Sequence, residues 1–140
     1  MERGRSVPSP WSGERVGVKG SGFTLIELLV VLAIIGTLLT LTLPRYFTSV
    51  QRSKETVLRE NLNVTRDAIG KYYADKGKYP ESLEALATEK YLRKVPMDPI
   101  TESAATWVVV PPDDPKKGAV YDLKSGAQGK ASDGTLYSEW

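Results

Sequence analysis

The chain has 140 residues, 41% hydrophobic and 26% charged, a size and make-up that suit one domain. It contains neither cysteine nor histidine, which excludes a disulfide framework, thiolate- or histidine-ligated metal centres, a cysteine nucleophile and a Ser-His-Asp triad. The net charge of +2 comes from residues 1–22, where Arg3, Arg5, Arg15 and Lys19 outnumber Glu2 and Glu14; the balanced remainder has no basic stripe, so no nucleic-acid partner is expected.

From Phe23 to Leu43 the sequence reads FTLIELLVVLAIIGTLLTLTL, 21 residues with one charge, Glu27. At about 1.5 Å per residue this spans roughly 31 Å, the thickness of a bilayer's hydrocarbon core. The basic residues precede it, which predicts a single pass with the N-terminus inside and the folded remainder outside the cytoplasm. A cleaved secretory signal is the ordinary alternative. It fits poorly, because the run is too long and Leu43-Pro44-Arg45-Tyr46-Phe47 offers no small-residue cleavage site.

Beyond Pro44 the apolar residues Phe47, Val50, Val57, Leu58, Leu62, Ile69, Tyr72 and Tyr73 keep helical spacing, and Arg52, Lys54, Glu55, Arg59, Glu60, Arg66 and Asp67 fill the other faces. One helix is predicted from Thr24 to Lys76, about 80 Å long, kinked at Pro44 and ended by Gly77. A short helix follows from Pro80 to about Tyr91. Residues Thr106–Val110 and Ala119–Leu123 read as a hairpin around the loop Pro111–Gly118. In that loop Asp113-Asp114 and Lys116-Lys117 are expected to face water, while Tyr72, Tyr73 and Tyr79 are expected to pack where the helix meets the domain. Some 64 residues after the helix make little core, so they should depend on its amphipathic half. The fold class is thus α+β, a long helix packed on a small antiparallel sheet with a short second helix.

Glu27 is the most informative residue. A carboxylate in a spanning helix costs about 2.5–3.5 kcal/mol at the bilayer centre and less near the interface. On residues alone it could simply reach the headgroups. The stretch Gly20-Ser21-Gly22-Phe23-Thr24-Leu25-Ile26-Glu27-Leu28, however, closely resembles the N-terminal signature of type IV pilins and type II secretion pseudopilins. The resemblance implies that residues 1–22 are a leader, that prepilin peptidase cuts between Gly22 and Phe23, and that Phe23 is then N-methylated. Glu27 becomes the fifth mature residue and Pro44 the twenty-second, where the family commonly carries a proline. The new amine on Phe23 can be neutralised by Glu27 of a neighbouring subunit, and such a buried pair sets register. The interface is heterologous and non-closing, as a filament requires. At 22 residues the leader is longer than many in the family.

The segments Gly77–Leu86 (GKYPESLEAL) and Tyr91–Pro99 (YLRKVPMDP) are similar to G-type major pseudopilins. A turn that often reads Asp-Pro-Trp-Gly there is Asp98-Pro99-Ile100-Thr101 here, with a tryptophan at Trp107. Lack of cysteine separates the chain from adhesive pilins that close a C-terminal loop with a disulfide. G-type pseudopilins commonly bind calcium in that loop, which implies Asp133, Asp122, Ser125 and Gln128 as candidate ligands here. Calcium takes six to eight oxygens, usually with more than one carboxylate. Gln128 stands where an aspartate is expected and Lys130 adds a competing charge. The other reading is an Asp-Gly turn in a tail pinned by Tyr137 and Trp140.

The resemblance implies a non-enzymatic subunit in three parts, namely the leader 1–22, a transmembrane polymerisation helix 23–43 and a periplasmic globular domain 44–140. It would sit in the bacterial inner membrane and polymerise into a periplasmic pseudopilus that helps export folded proteins. Its expected partners are further copies of itself, prepilin peptidase, minor pseudopilins and the inner-membrane assembly platform. The alternatives are a type IV pilus subunit for adhesion, twitching or DNA uptake, and a single-pass membrane-anchored binding module.

Overall fold

The computed structural model describes residues 22–140 together with Gly4, Gly13 and Gly20; the leader expected over residues 1–22 otherwise lies outside the described residues. The chain divides into two units, Met1–Leu39 and Thr40–Trp140. Helix α1, Leu25–Lys76, contributes to both and continues as helix through Pro44. It ends where predicted, with Gly77 at φ +69° closing the last turn through Gly77 N–H to Tyr73 O at 2.8 Å.

In the first unit, the described apolar residues of α1 are exposed to solvent along their whole length. By length and composition, α1 is long and apolar enough to cross a membrane.

The second unit holds the core. Here α1 buries Glu55, Leu58, Leu62, Thr65, Ile69 and Tyr72, a stripe at alternating steps of three and four. Against it pack Leu83 and Leu86, Trp107, Val120 and Leu123, Ala127 and Ala131, and Tyr137. The stripe starts later than the sequence predicts. Phe47 is 67% exposed, because the small folded part covers α1 only from about Gln51 onward, and Val57 is 49% exposed, because it lies off the buried stripe. Glu55, predicted on a solvent face, is 7% exposed.

Helix α2 spans Leu83–Thr88, shorter than predicted at both ends. Ser82 is its N-cap, Oγ accepting from Ala85 N–H at 3.2 Å, and this places Pro80 before the helix rather than in its first turn. The buried Pro80 carbonyl instead accepts from Ala119 N–H and Val120 N–H. At the other end Lys90 adopts φ +66°, and the amides of Tyr91 and Leu92 turn back onto Leu86 O.

Strands β1 (Val108–Val110) and β2 (Asp122–Lys124) form the predicted antiparallel pair, with Val109 opposite Leu123. Both begin later than the hydrophobic runs suggest. Trp107 is withdrawn into the core with Nε1 donating to Pro96 O at 2.8 Å, and Val120 is tied to Pro80. Between the strands, Pro115–Lys117 makes one 3-10 turn capped by Asp114. Tyr73 and Tyr79 stack at 4.5 Å and Tyr79 meets Tyr121 edge-on at 5.3 Å, so the tyrosine cluster is packing, as expected.

Candidate functional site

Two places bear on function, the start of α1 and the C-terminal loop of the second unit. Gly22, Phe23 and Thr24 precede the helix as non-helical, exposed chain. The Gly22–Phe23 peptide bond therefore lies ahead of the helix, with Gly22 N–H donating to Gly20 O at 2.8 Å.

Thr24 caps α1. Its Oγ1 accepts from Glu27 N–H at 3.2 Å, and Glu27 Oε2 accepts from Thr24 N–H at 3.4 Å. This reciprocal pair is a capping box, with the carboxylate also placed in the favourable field of the helix N-terminus. The Thr-x-x-Glu spacing was legible in the sequence, where only the charge of Glu27 drew attention. The other oxygen, Oε1, has no partner among the described residues, so Glu27 can cap its own helix and still accept from an external cation. Pro44 lies inside α1 and supplies no amide, while its carbonyl accepts from Thr48 Oγ1 at 3.1 Å.

Of the four candidate calcium ligands, Asp133, Asp122 and Ser125 are each bonded to another side chain, and Gln128 is exposed. Asp133 is exposed and pairs with Arg59, Nη2 to Oδ2 at 2.6 Å, while its Oδ1 accepts from Thr135 N–H and Oγ1. Asp122 pairs with Arg66, Nε to Oδ1 at 2.7 Å. The buried Ser125 hydroxyl donates to Asp98 Oδ2 at 2.6 Å, and Gln128 is exposed. Among the described residues no three acidic side chains converge as a metal site would need. Each of the two aspartates faces an arginine, which a calcium ion would have to displace.

Those contacts define how the loop is held. Tyr137 is buried and meets Trp140 edge-on at 5.4 Å, and the Arg59 guanidinium lies over the Trp140 ring at 4.1 Å. Trp140 Nε1 also donates to Thr135 Oγ1 at 2.7 Å. Tyr137 and Trp140 therefore do pin the tail. Hydrogen bonds from Thr135 and the Arg59 guanidinium hold the Asp133 carboxyl below the usual aspartate range.

Sequence reasoning missed two acids. Glu55 Oε1 accepts from Ser132 N–H at 2.9 Å, Ser132 Oγ at 3.0 Å and the Tyr137 hydroxyl at 2.9 Å. Burial raises its pKa, but the Tyr137 and Ser132 hydrogen bonds outweigh that and hold it below the ordinary value. Burial, then the Glu55 hydrogen bond, pushes Tyr137 up. Asp98, fully buried, accepts at Oδ1 from the amides of Ile100 and Thr101 and at Oδ2 from Ser125. The Asp-Pro pair pointed to a turn; nothing in the sequence pointed to Ser125 as its partner.

The family described as "Prokaryotic N-terminal methylation motif" matches residues 19–43. The chain is similar to the fimbrial protein EcpC of Eikenella corrodens, 33% identical over 78% of this chain and 69% of the relative. It is similar to type II secretion system core protein G of Pseudomonas aeruginosa, 34% identical over 56% of this chain and 67% of the relative. It is also similar to the type IV major pilin protein PilE1 of Neisseria gonorrhoeae, 40% identical over 44% of this chain and 37% of the relative. No solved structure matches the chain.

Proposed function

This chain belongs to the type IV pilin and pseudopilin family, whose members are structural subunits and not enzymes, and from that premise we propose that it polymerises into a type II secretion pseudopilus. In this reading it is processed between Gly22 and Phe23, held in the inner membrane by residues 23–43, and exposes the remainder to the periplasm. The observation that carries the reading is the start of α1, where an exposed apolar helix carries one acid, Glu27. Unlike those of a core helix, the large apolar side chains of this segment are exposed among the described residues. In a stack of copies, neighbouring segments cover one another, and Glu27 Oε1 meets the amine that processing leaves on Phe23 of an adjacent copy. An offset stack leaves both charges desolvated and unpaired, so the pair selects the register. Folded exoproteins are the proposed cargo, with minor pseudopilins and an inner-membrane platform as partners in assembly.

A surface type IV pilus is the second reading, favoured by the fimbrial relative, whose similarity covers more of this chain than the secretion protein's does. The lack of cysteine favours the secretion reading over a pilin with a disulfide-closed loop.

The test is to co-express the chain with prepilin peptidase and a type II secretion assembly machinery, then determine the N-terminal mass and image sheared fibres. A chain beginning at N-methylated Phe23, forming fibres that Glu27→Ala disrupts while membrane insertion persists, supports the proposal. Normal fibres from Glu27→Ala reject the register pair. A chain left uncut rejects the processing on which the reading depends.

A further inference from the structure

The first turns of α1 beyond the apolar run carry an unusual charge pattern. From Leu28 to Lys54 the chain has no acidic residue, and the next acid, Glu55, is buried and committed to Ser132 and Tyr137. Exposed cations therefore dominate this part of the helix. Lys54 reaches Glu102 and Arg59 reaches Asp133, but Arg45 and Arg52 have no ion-pair partner among the described residues. Seven residues apart, these two arginines share one helix face with Thr48 and Ser49, and the four side chains line a shallow depression beside Pro44. Next to Arg45, Tyr46 and Phe47 are exposed and packed edge-on against each other at 5.8 Å.

We propose that Arg45 and Arg52, together with Tyr46 and Phe47, form a collar that binds the phosphates of anionic lipid headgroups on the side of the membrane where the folded part lies. This rests on the membrane-spanning reading of residues 23–43. Arg45 stands about 3 Å and Arg52 about 13.5 Å above Leu43 along the helix, against a headgroup layer several ångströms thick. Helical side chains lean toward the N-terminus, so the longer reach of Arg52 is directed back at the bilayer. Exposed tyrosine and phenylalanine at this level match the aromatic belt of membrane interfaces. Guanidinium forks suit phosphate oxygens, and an anionic surface attracts each nearby arginine appreciably. Removal of residues 1–22 takes Arg3, Arg5, Arg15 and Lys19 from the opposite side of the span. The collar then becomes the strongest cationic flank of the processed chain, and its hold on the outer headgroups sets the depth from which the subunit is extracted.

The experiment reconstitutes the full chain in phosphatidylcholine vesicles with traces of spin-labelled phosphatidylglycerol or spin-labelled phosphatidylcholine, and compares the motionally restricted fraction of each. The wild type is expected to favour the anionic label about fivefold at low salt, declining as salt screens the surface. Arg45→Gln/Arg52→Gln should lose most of that preference, while Arg45→Lys/Arg52→Lys retains a good part of it. The leader's cations are common to all three proteins and so cancel in the comparison. Resistance to alkaline extraction is measured alongside to report insertion. Equal preference in wild type and the glutamine variant, with insertion intact, overturns the collar and leaves the span standing. Failure of the wild type to insert overturns both.

Discussion

The Tyr137 hydroxyl donates to Glu55 Oε1 across 2.9 Å and accepts from Gln51 Nε2 at 2.6 Å, joining the end of the chain to the middle of α1. One carboxylate oxygen thereby gathers the Ser132 amide, the Ser132 hydroxyl and the Tyr137 phenol. A short domain with few core residues is closed by polar groups that satisfy one another.

Glu55→Ala should destabilise the folded part by about 1–3 kcal/mol, because the buried phenol loses its acceptor. Glu55→Gln, which keeps an acceptor oxygen without the charge, should cost less. Thermal melts of the full chain in detergent decide this, and wild-type stability in Glu55→Ala would show that the cluster is dispensable.

The same carboxylates make the loop acid-sensitive. Glu55 and Asp133 both titrate below their ordinary values of 4.5 and 3.8 in the folded chain. The unfolded chain therefore takes up protons first as the pH falls, and stability should be flat near neutrality and decline below about pH 4.5. Melts from pH 7 to pH 3 should show that decline. It should be shallower in Glu55→Gln, which has no group to protonate at that position.

Arg59 and Arg66 occupy the aspartates that a calcium site would need. The melting temperature should therefore be the same with millimolar calcium and with a chelator. Asp133→Ala should lower it equally in both conditions, through loss of its contacts with Arg59 and Thr135. A rise with calcium in the wild type that vanishes in Asp133→Ala would show that a metal displaces the arginine.

Gly126 admits no side chain, since a Cβ there would run into the Thr106 carbonyl. Gly126→Ala must push apart the segments that carry Trp107 and Ser125, at a cost of about 1–3 kcal/mol. Gly129→Ala is the matched control for space, because a Cβ there meets nothing, although its φ of +97° adds backbone strain of its own. If Gly126→Ala melts like the wild type, the close approach of the two segments is not needed.

The expectations drawn from pattern and those drawn from proximity fared differently. Helix α1 was legible almost to the residue, from the apolar run, the 3.6-residue spacing and Gly77. The hairpin was placed correctly in topology but early in register, because Trp107 and Val120 read as strand residues and serve the core instead. The candidate calcium ligands lie within twelve residues of sequence, but the arginines that Asp122 and Asp133 meet come from far earlier in the chain, on α1. The spacing of α1 placed Arg59 and Arg66 on exposed faces without naming what they would meet.

By itself, the sequence determined what depends on neighbours along the chain, including the apolar run and its lone acid, the helix end and the N-terminal methylation motif. These follow from local hydrogen bonding and from transfer of one segment into an apolar phase, both properties of contiguous residues. Tertiary structure alone decided the fate of charges whose partners lie far away in sequence. Glu55 is buried beside Ser132 and Tyr137, Asp98 beside Ser125, and Arg59 is drawn to Asp133 and Trp140. A carboxylate is tolerated inside only when donors surround it, and which donors arrive is settled by how the chain returns across α1.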